Sequence, residues 1–195
     1  MTFKRYQHLE RFGTTEVERI ELGECYVFPK IDGTNSSVWI ENGEIKAGSR
    51  NRELSLEKDN AGFYEWVLKQ ENIKNFLCEN PNLRLFGEWL VPHSLKTYRE
   101  NAWRNFYVFD VAEVKSKEDL LHEGDDHLIY KHYNFYQPIL EKYGINYIPP
   151  ISIIQKGDYD YFVKQLEKNV FLIEDGKGAG EGIVIKNYDF RKRIK

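Results

Sequence analysis

Ser36-Ser37-Val38-Trp39-Ile40-Glu41-Asn42-Gly43-Glu44-Ile45-Lys46-Ala47-Gly48 decides the fold. The first six residues read as a strand. Asn42 and Gly43 both tolerate positive φ, so together they form a tight hairpin turn. Glu44 to Gly48 then returns antiparallel. Just upstream, Cys25-Tyr26-Val27-Phe28 is short and apolar and reads as a buried strand ending at Pro29-Lys30. Downstream, Leu83 to Leu90 and Asn105 to Val114 read as two further core strands. Shorter strands are expected at Ile151 to Ile154 and Gly182 to Lys186.

Helical spacing is rarer. Phe63, Trp66 and Val67 share one face of a helix expected over Ala61 to Gln70. Tyr133 to Tyr143 reads as a second helix, stopped by Gly144. Asp158 to Lys168 reads as a third, capped by Asp158. Glu118 to His127 is acidic and polar and reads as a solvated stretch. Strands outnumber helices and the hairpin enforces antiparallel pairing. The expectation is therefore an α+β chain rather than a doubly wound one.

The chain has 195 residues, 41% of them hydrophobic, enough for one substantial core. Residues 1–195 are expected to form a single domain. The net charge is −3, so no global positive field points to nucleic acid, and only a local basic groove would serve. Aromatic content is 15%; such side chains suit half-buried strands, and a few can stack on bases. The two cysteines, Cys25 and Cys78, have no metal-ligand spacing, which argues against a zinc site and a disulfide framework and for a reducing, cytoplasmic setting. The N-terminus lacks the apolar run of a signal peptide, and no window approaches about 18 apolar residues.

The chemistry centres on Lys30-Ile31-Asp32-Gly33-Thr34-Asn35. A lysine ends a buried strand and a tight polar turn follows. A partly desolvated lysine near other cations can lose its proton near neutral pH, and the neutral amine can attack a phosphoryl group. Gly33 allows close backbone approach to a ligand. Taken alone, the same hexapeptide also reads as a surface turn with a solvated lysine. Gly176 to Gly180 is not a phosphate-cradling P-loop, because it lacks the Gly-Lys-Ser/Thr ending and leads into a strand; it reads as a mobile connection.

The hexapeptide resembles motif I, Lys-x-Asp-Gly, of the covalent nucleotidyltransferases: DNA ligases, RNA ligases and mRNA-capping enzymes. Asn35 resembles the RNA ligase 2-like branch. Four more motifs follow in the family's order. Ser49-Arg50-Asn51 resembles motif Ia, Leu85-Phe86-Gly87-Glu88-Trp89 motif III, Phe106-Tyr107-Val108-Phe109-Asp110-Val111 motif IIIa, and Glu181-Gly182-Ile183-Val184-Ile185-Lys186 motif IV. The resemblance implies two antiparallel sheets with flanking helices around an ATP pocket. It implies that Lys30 attacks ATP and carries AMP as a lysyl-N–AMP adduct. Glu181 would help hold Mg²⁺ or Mn²⁺. Lys186 would oppose phosphate charge and favour a neutral Lys30. Glu88 would accept hydrogen bonds from the ribose, Arg50 would contact sugar or phosphate, with Arg52 competing for the role, and Phe109 would stack on adenine. Asp32 and Asn35 would order the turn and the ligand, although a turn-capping role for Asp32 stays open. His93 reads as a loop histidine. Lys96, Arg99 and Arg104, with Tyr98 and Trp103, read either as a nucleic-acid contact or as a solvated loop.

The implied activity is an ATP-dependent RNA ligase that passes AMP to a 5′-phosphate end and seals to a 3′-hydroxyl. Its partner would be RNA, as nicked duplex or single-stranded ends, with DNA as the other candidate; a monomer without membrane attachment is expected. A DNA ligase, a capping guanylyltransferase and a non-catalytic nucleic-acid-binding module on the same fold are the alternatives. The family pattern also includes a motif V, Lys-x-Lys, beyond motif IV. Here only Arg193-Ile194-Lys195 has similar chemistry, and it comes early. No OB-fold or helical C-terminal domain is expected within these residues, which fits a truncated catalytic domain.

Overall fold

The computed structural model describes residues 3–115 and 128–190. The acidic stretch Glu118 to His127 and the motif V candidate Arg193-Ile194-Lys195 lie outside the described residues. The chain divides into two compact units. One comprises residues 1–6, 33–91 and 104–147; the other comprises 7–32, 92–103 and 148–195. The chain therefore crosses between them at 6/7, 32/33, 91/92, 103/104 and 147/148.

The first unit is built on the hairpin. β2 (Thr34–Glu41) and β3 (Glu44–Ser49) follow β1 (Glu24–Lys30) of the other unit. They are joined by Asn42 and Gly43 at φ 51° and 80°, as the turn chemistry requires. β4 (Leu83–Trp89) pairs with β2, β5 (Phe106–Val114) with β4, and β6 (Leu128–Tyr130) with β5. The result is a five-stranded antiparallel sheet of order β3-β2-β4-β5-β6.

One face of this sheet carries Val38, Ile40, Leu85, Phe106, Val108 and Val111. They pack with α1 (Phe63–Val67), α2 (Glu71–Glu79) and α3 (Tyr133–Lys142) into the main core. The first helix is shorter than its periodicity predicts. Ala61 and Gly62 sit at φ 51° and 79°, so the helix begins only at Phe63, and Gln70 is extended, which separates α1 from α2. Asp59 caps the start from outside, its carboxylate accepting from the backbone N–H groups of Tyr64 and Glu65. The second helix went unexpected, although Ile73, Phe76 and Leu77 stand at helical spacing and are buried.

The second unit is a three-stranded antiparallel sheet of order β7-β1-β8, with β7 (Ser152–Gln155) and β8 (Gly182–Lys186) flanking β1. α4 (Tyr159–Glu167) covers one face, burying Phe162 against Cys25 and Val27. Asp158 caps it, accepting from the N–H of Tyr161 at 2.7 Å. The α+β class and the two antiparallel sheets agree with expectation.

Candidate active site

In the three-stranded unit, the β1·β8 ladder places Lys30 opposite Gly182 at one end. Glu181 immediately precedes Gly182, so pairing brings together side chains 151 positions apart in sequence. Lys30 Nζ and a Glu181 carboxylate oxygen form an ion pair, both side chains about 40% exposed. Lys186 pairs with Tyr26 four rungs further along. Its ammonium lies 4.6 Å from the Phe28 ring centroid, a cation–π contact.

Asp32 turns into the protein. Its side chain is 7% exposed. One carboxylate oxygen accepts from the N–H of Leu95 at 2.5 Å, and the other lies 2.8 Å from His93 Nδ1. Burial pushes its pKa up, but the hydrogen bonds from Leu95 and His93, with the charge of His93, outweigh it and leave Asp32 below the usual carboxylate range. The Asp32 N–H also donates to the Tyr98 hydroxyl at 2.7 Å. Of the two roles left open for Asp32, the anchoring one has visible partners. His93 is a loop histidine, as expected, and is also Asp32's partner. Tyr98 is buried and stands edge-on to Trp103 at 5.3 Å, so it is not an exposed platform for a base. Lys96 and Arg99 are exposed.

In the five-stranded unit, Asn35 and Glu88 are register partners on β2 and β4. Tyr107 faces Glu88 from β5. Glu88 accepts from the N–H of Gly33 at 3.2 Å. A Cβ on Gly33 would stand 2.5 Å from the Trp89 carbonyl oxygen and 3.1 Å from Leu90 Cα. The close approach that Gly33 permits is therefore to the protein's own backbone. Arg50 is exposed at the end of β3. Arg52 is engaged elsewhere, its guanidinium donating to the carbonyls of Lys58 and Asp59. Among the described residues, that leaves Arg50 as the one of the two with its fork available.

Phe109 occupies a bulge. Phe86 pairs with Asp110 and Gly87 with Val108, so Phe109 is the extra residue of β5. The bulge gives Phe109 and Asp110 a common partner in Tyr6. The Tyr6 ring meets Phe109 edge-on at 4.9 Å, and its hydroxyl donates to Asp110 at 2.5 Å. Tyr6 also packs on Phe86 and Tyr130. Beside it, Phe3 covers Trp39 and Gly48, and the Lys4 carbonyl accepts from buried Arg84. Residues 3–6 thus form a strap over the sheet face opposite the helices. No sequence feature marked it.

Among the described residues, no group of three or more His, Cys, Asp or Glu side chains gathers to hold a metal. Glu181 alone fits a hard divalent cation that brings phosphate and water ligands with it, as Mg²⁺ and Mn²⁺ do, and not a resident ion in a protein cage.

The profile of the RNA ligase family matches residues 23–195. The chain belongs to the RNA ligase family. Solved structures of such ligases are similar in fold. An archaeal ATP-dependent RNA ligase matches over 96% of this chain and 46% of its own, with 16% identity and a TM-score of 0.68. A Naegleria gruberi RNA ligase mutant solved with ATP and Mn matches over 97% and 54%, with 18% identity and a TM-score of 0.64. The same organism's ligase with PPi matches over 89% and 49%, with 18% identity and a TM-score of 0.61. The chain spans about half the length of these proteins. Among curated proteins, none matches. No helix among the described residues of this RNA ligase family member is long and apolar enough to cross a membrane.

Proposed function

We propose that this chain is the nucleotidyltransferase domain, residues 1–195, of an ATP-dependent RNA ligase, and that Lys30 is its nucleophile. The contact between Lys30 and Glu181, two motif residues joined by the β1·β8 ladder, carries this conclusion. ATP with Mn, and PPi, are what related ligases were solved with. They correspond to the reactants and the leaving group of the first step proposed here.

An ammonium has no lone pair, so the Lys30–Glu181 pair must part and Lys30 must lose a proton before it can react. The amine then attacks the α-phosphorus of ATP. A P–N bond forms, the bond to the β-phosphate bridging oxygen breaks, and pyrophosphate departs with that electron pair. A second proton leaves the nitrogen, giving the lysyl-N–AMP phosphoramidate. The work left to the protein is positioning and charge neutralisation. Glu181 would hold Mg²⁺ or Mn²⁺ that accompanies the phosphates, and such a cation supplies charge neutralisation there. Arg50 and Lys186 would contact phosphate, Glu88 and Asn35 the sugar edge, and Phe109 the adenine face. Asp32 would hold the turn after Lys30 in place. AMP then passes to an RNA 5′-phosphate and the 3′-hydroxyl displaces it, sealing the strand. A monomer acting in the cytoplasm suits the two free cysteines, Cys25 and Cys78.

Incubation with α-labelled ATP and Mg²⁺ or Mn²⁺ should leave label that survives denaturing electrophoresis, stable to alkali and labile to acid as a phosphoramidate is, on the wild type and none on Lys30→Ala. Label on both, or on neither, removes Lys30 from this role. Comparison of nicked RNA with nicked DNA, and of ATP with GTP, separates RNA ligase from DNA ligase and capping enzyme.

A further inference from the structure

Asn169 lies just beyond α4, outside every motif, and is fully buried. Its side-chain amide nitrogen donates to two carbonyls at once, that of Lys30 at 3.1 Å and that of Gly182 at 2.6 Å. Its backbone carbonyl accepts from the N–H of Gly180 at 2.6 Å. Lys30 and Gly182 are the last register partners of the β1·β8 ladder. Gly180 and Gly182 are the two neighbours of Glu181. One residue therefore grips the backbone of Lys30 and both sides of Glu181.

The chemistry of this grip requires an asparagine. An amide has two N–H donors on one atom, and here each has a carbonyl. Its other polar atom, Oδ1, is buried with no hydrogen-bond partner among the described residues. A buried acceptor left unmatched is costly, so the group is retained for its donors. Aspartate would set an acceptor against two acceptors, and leucine would fill the space without donating. Gly180 fits the same design. A Cβ there would lie 2.5 Å from Asn169 Nδ2 and 2.9 Å from Cγ. The glycine is the space the amide occupies.

We infer that Asn169 is a positioning residue for the adenylylation step, holding the Lys30 and Glu181 backbones in register so that the nucleophile and the carboxylate stand side by side. This rests on the function proposed above. It acts on the backbones that carry the nucleophile and its neighbouring carboxylate and touches no residue proposed for the adenine or the sugar, so its loss should lower kcat for self-adenylylation by far more than it raises KM for ATP. Misplacement of a reacting group by about 1 Å can cost on the order of 100-fold in rate.

The experiment is a two-residue cycle. Asn169→Leu, Gly180→Ala and the double variant are compared with the wild type in single-turnover labelling from α-labelled ATP, with circular dichroism verifying the fold at the assay temperature. The expected result is a loss of about 100-fold in kcat for Asn169→Leu with a much smaller change in KM, a smaller loss in kcat for Gly180→Ala, and a double variant no slower than Asn169→Leu. Should Asn169→Leu fail to fold, Gly180→Ala alone must show a loss in kcat larger than its change in KM. Wild-type kcat in either single variant, or a rise in KM with kcat intact, overturns the inference. Additive losses overturn it as well. A wild type that takes no label overturns the proposed function and this inference with it, which separates the two failures.

Discussion

At the scale of single residues, the two arginines after the hairpin make a clean comparison. Arg50 and Arg52 are chemically identical and two positions apart, and the sequence alone leaves them competing. The structure separates them, because Arg52 spends its fork on the Lys58 and Asp59 carbonyls. Arg50→Lys should slow self-adenylylation from α-labelled ATP about tenfold or more, since lysine cannot reproduce a planar, bidentate donor. Arg52→Lys should leave labelling within about threefold and shift the thermal midpoint instead. Equal effects in labelling would reverse the assignment. The same contrast shows what a sequence can disclose. Lys30, Glu88 and Glu181 were legible as candidates because motif order carries them, and strand pairing supplied their contacts. Asn169 was not, because a lone asparagine after a helix carries no periodicity or spacing, and its partner Lys30 is 139 residues away.

At the scale of elements, the strap and the bulge act together. The β5 bulge at Phe109 is a break in alternation that a strand pattern does not announce, since Phe106 to Val114 is apolar on both faces. Tyr6 completes it. Tyr6→Phe keeps the ring contacts and removes one hydrogen bond to a buried carboxyl group, a loss of about 1–3 kcal/mol. The thermal midpoint should fall by roughly 2–4 °C for each kcal/mol lost. Scanning calorimetry checks this, and an unchanged midpoint would mean that the Tyr6–Asp110 bond contributes nothing net. The crossing at Gly33 is less forgiving. Gly33→Ala puts a methyl group 2.5 Å from a backbone oxygen of β4, which can move only with the strand. A cost of about 1–3 kcal/mol should accompany lost labelling, measured by denaturant titration and α-labelled ATP. Helix α1 was misread for a related reason. Its hydrophobic spacing is sound, but two left-handed residues at its start are local backbone facts that side-chain periodicity does not carry.

At the scale of the whole molecule, acidity tests the anchoring of Asp32. Its folded-state pKa is lowered, so its contribution to stability is full above the unfolded value near 3.9 and is lost as pH falls through the lower folded value. Urea unfolding from pH 6 to pH 2 should therefore show a loss of stability below about pH 4. Asp32→Asn should be less stable than the wild type at pH 6, and the difference should shrink toward pH 2. A difference independent of pH would show that the carboxylate's charge does not matter to the anchor.

The five crossings of the chain between its units have a consequence for how this protein tolerates being cut. Each unit is assembled from three separate stretches, so neither corresponds to a contiguous piece of gene. A protease nick in an exposed loop yields two fragments that each hold strands needed by the other's sheet. Breaking the chain after Gly178, for example, leaves β8 alone on the small fragment and robs β1 of one of its two neighbours. Mixing separately produced fragments 1–178 and 179–195 should thus restore labelling only when both are present. In the language of split reporters, the nucleophile would sit on one half and its carboxylate on the other.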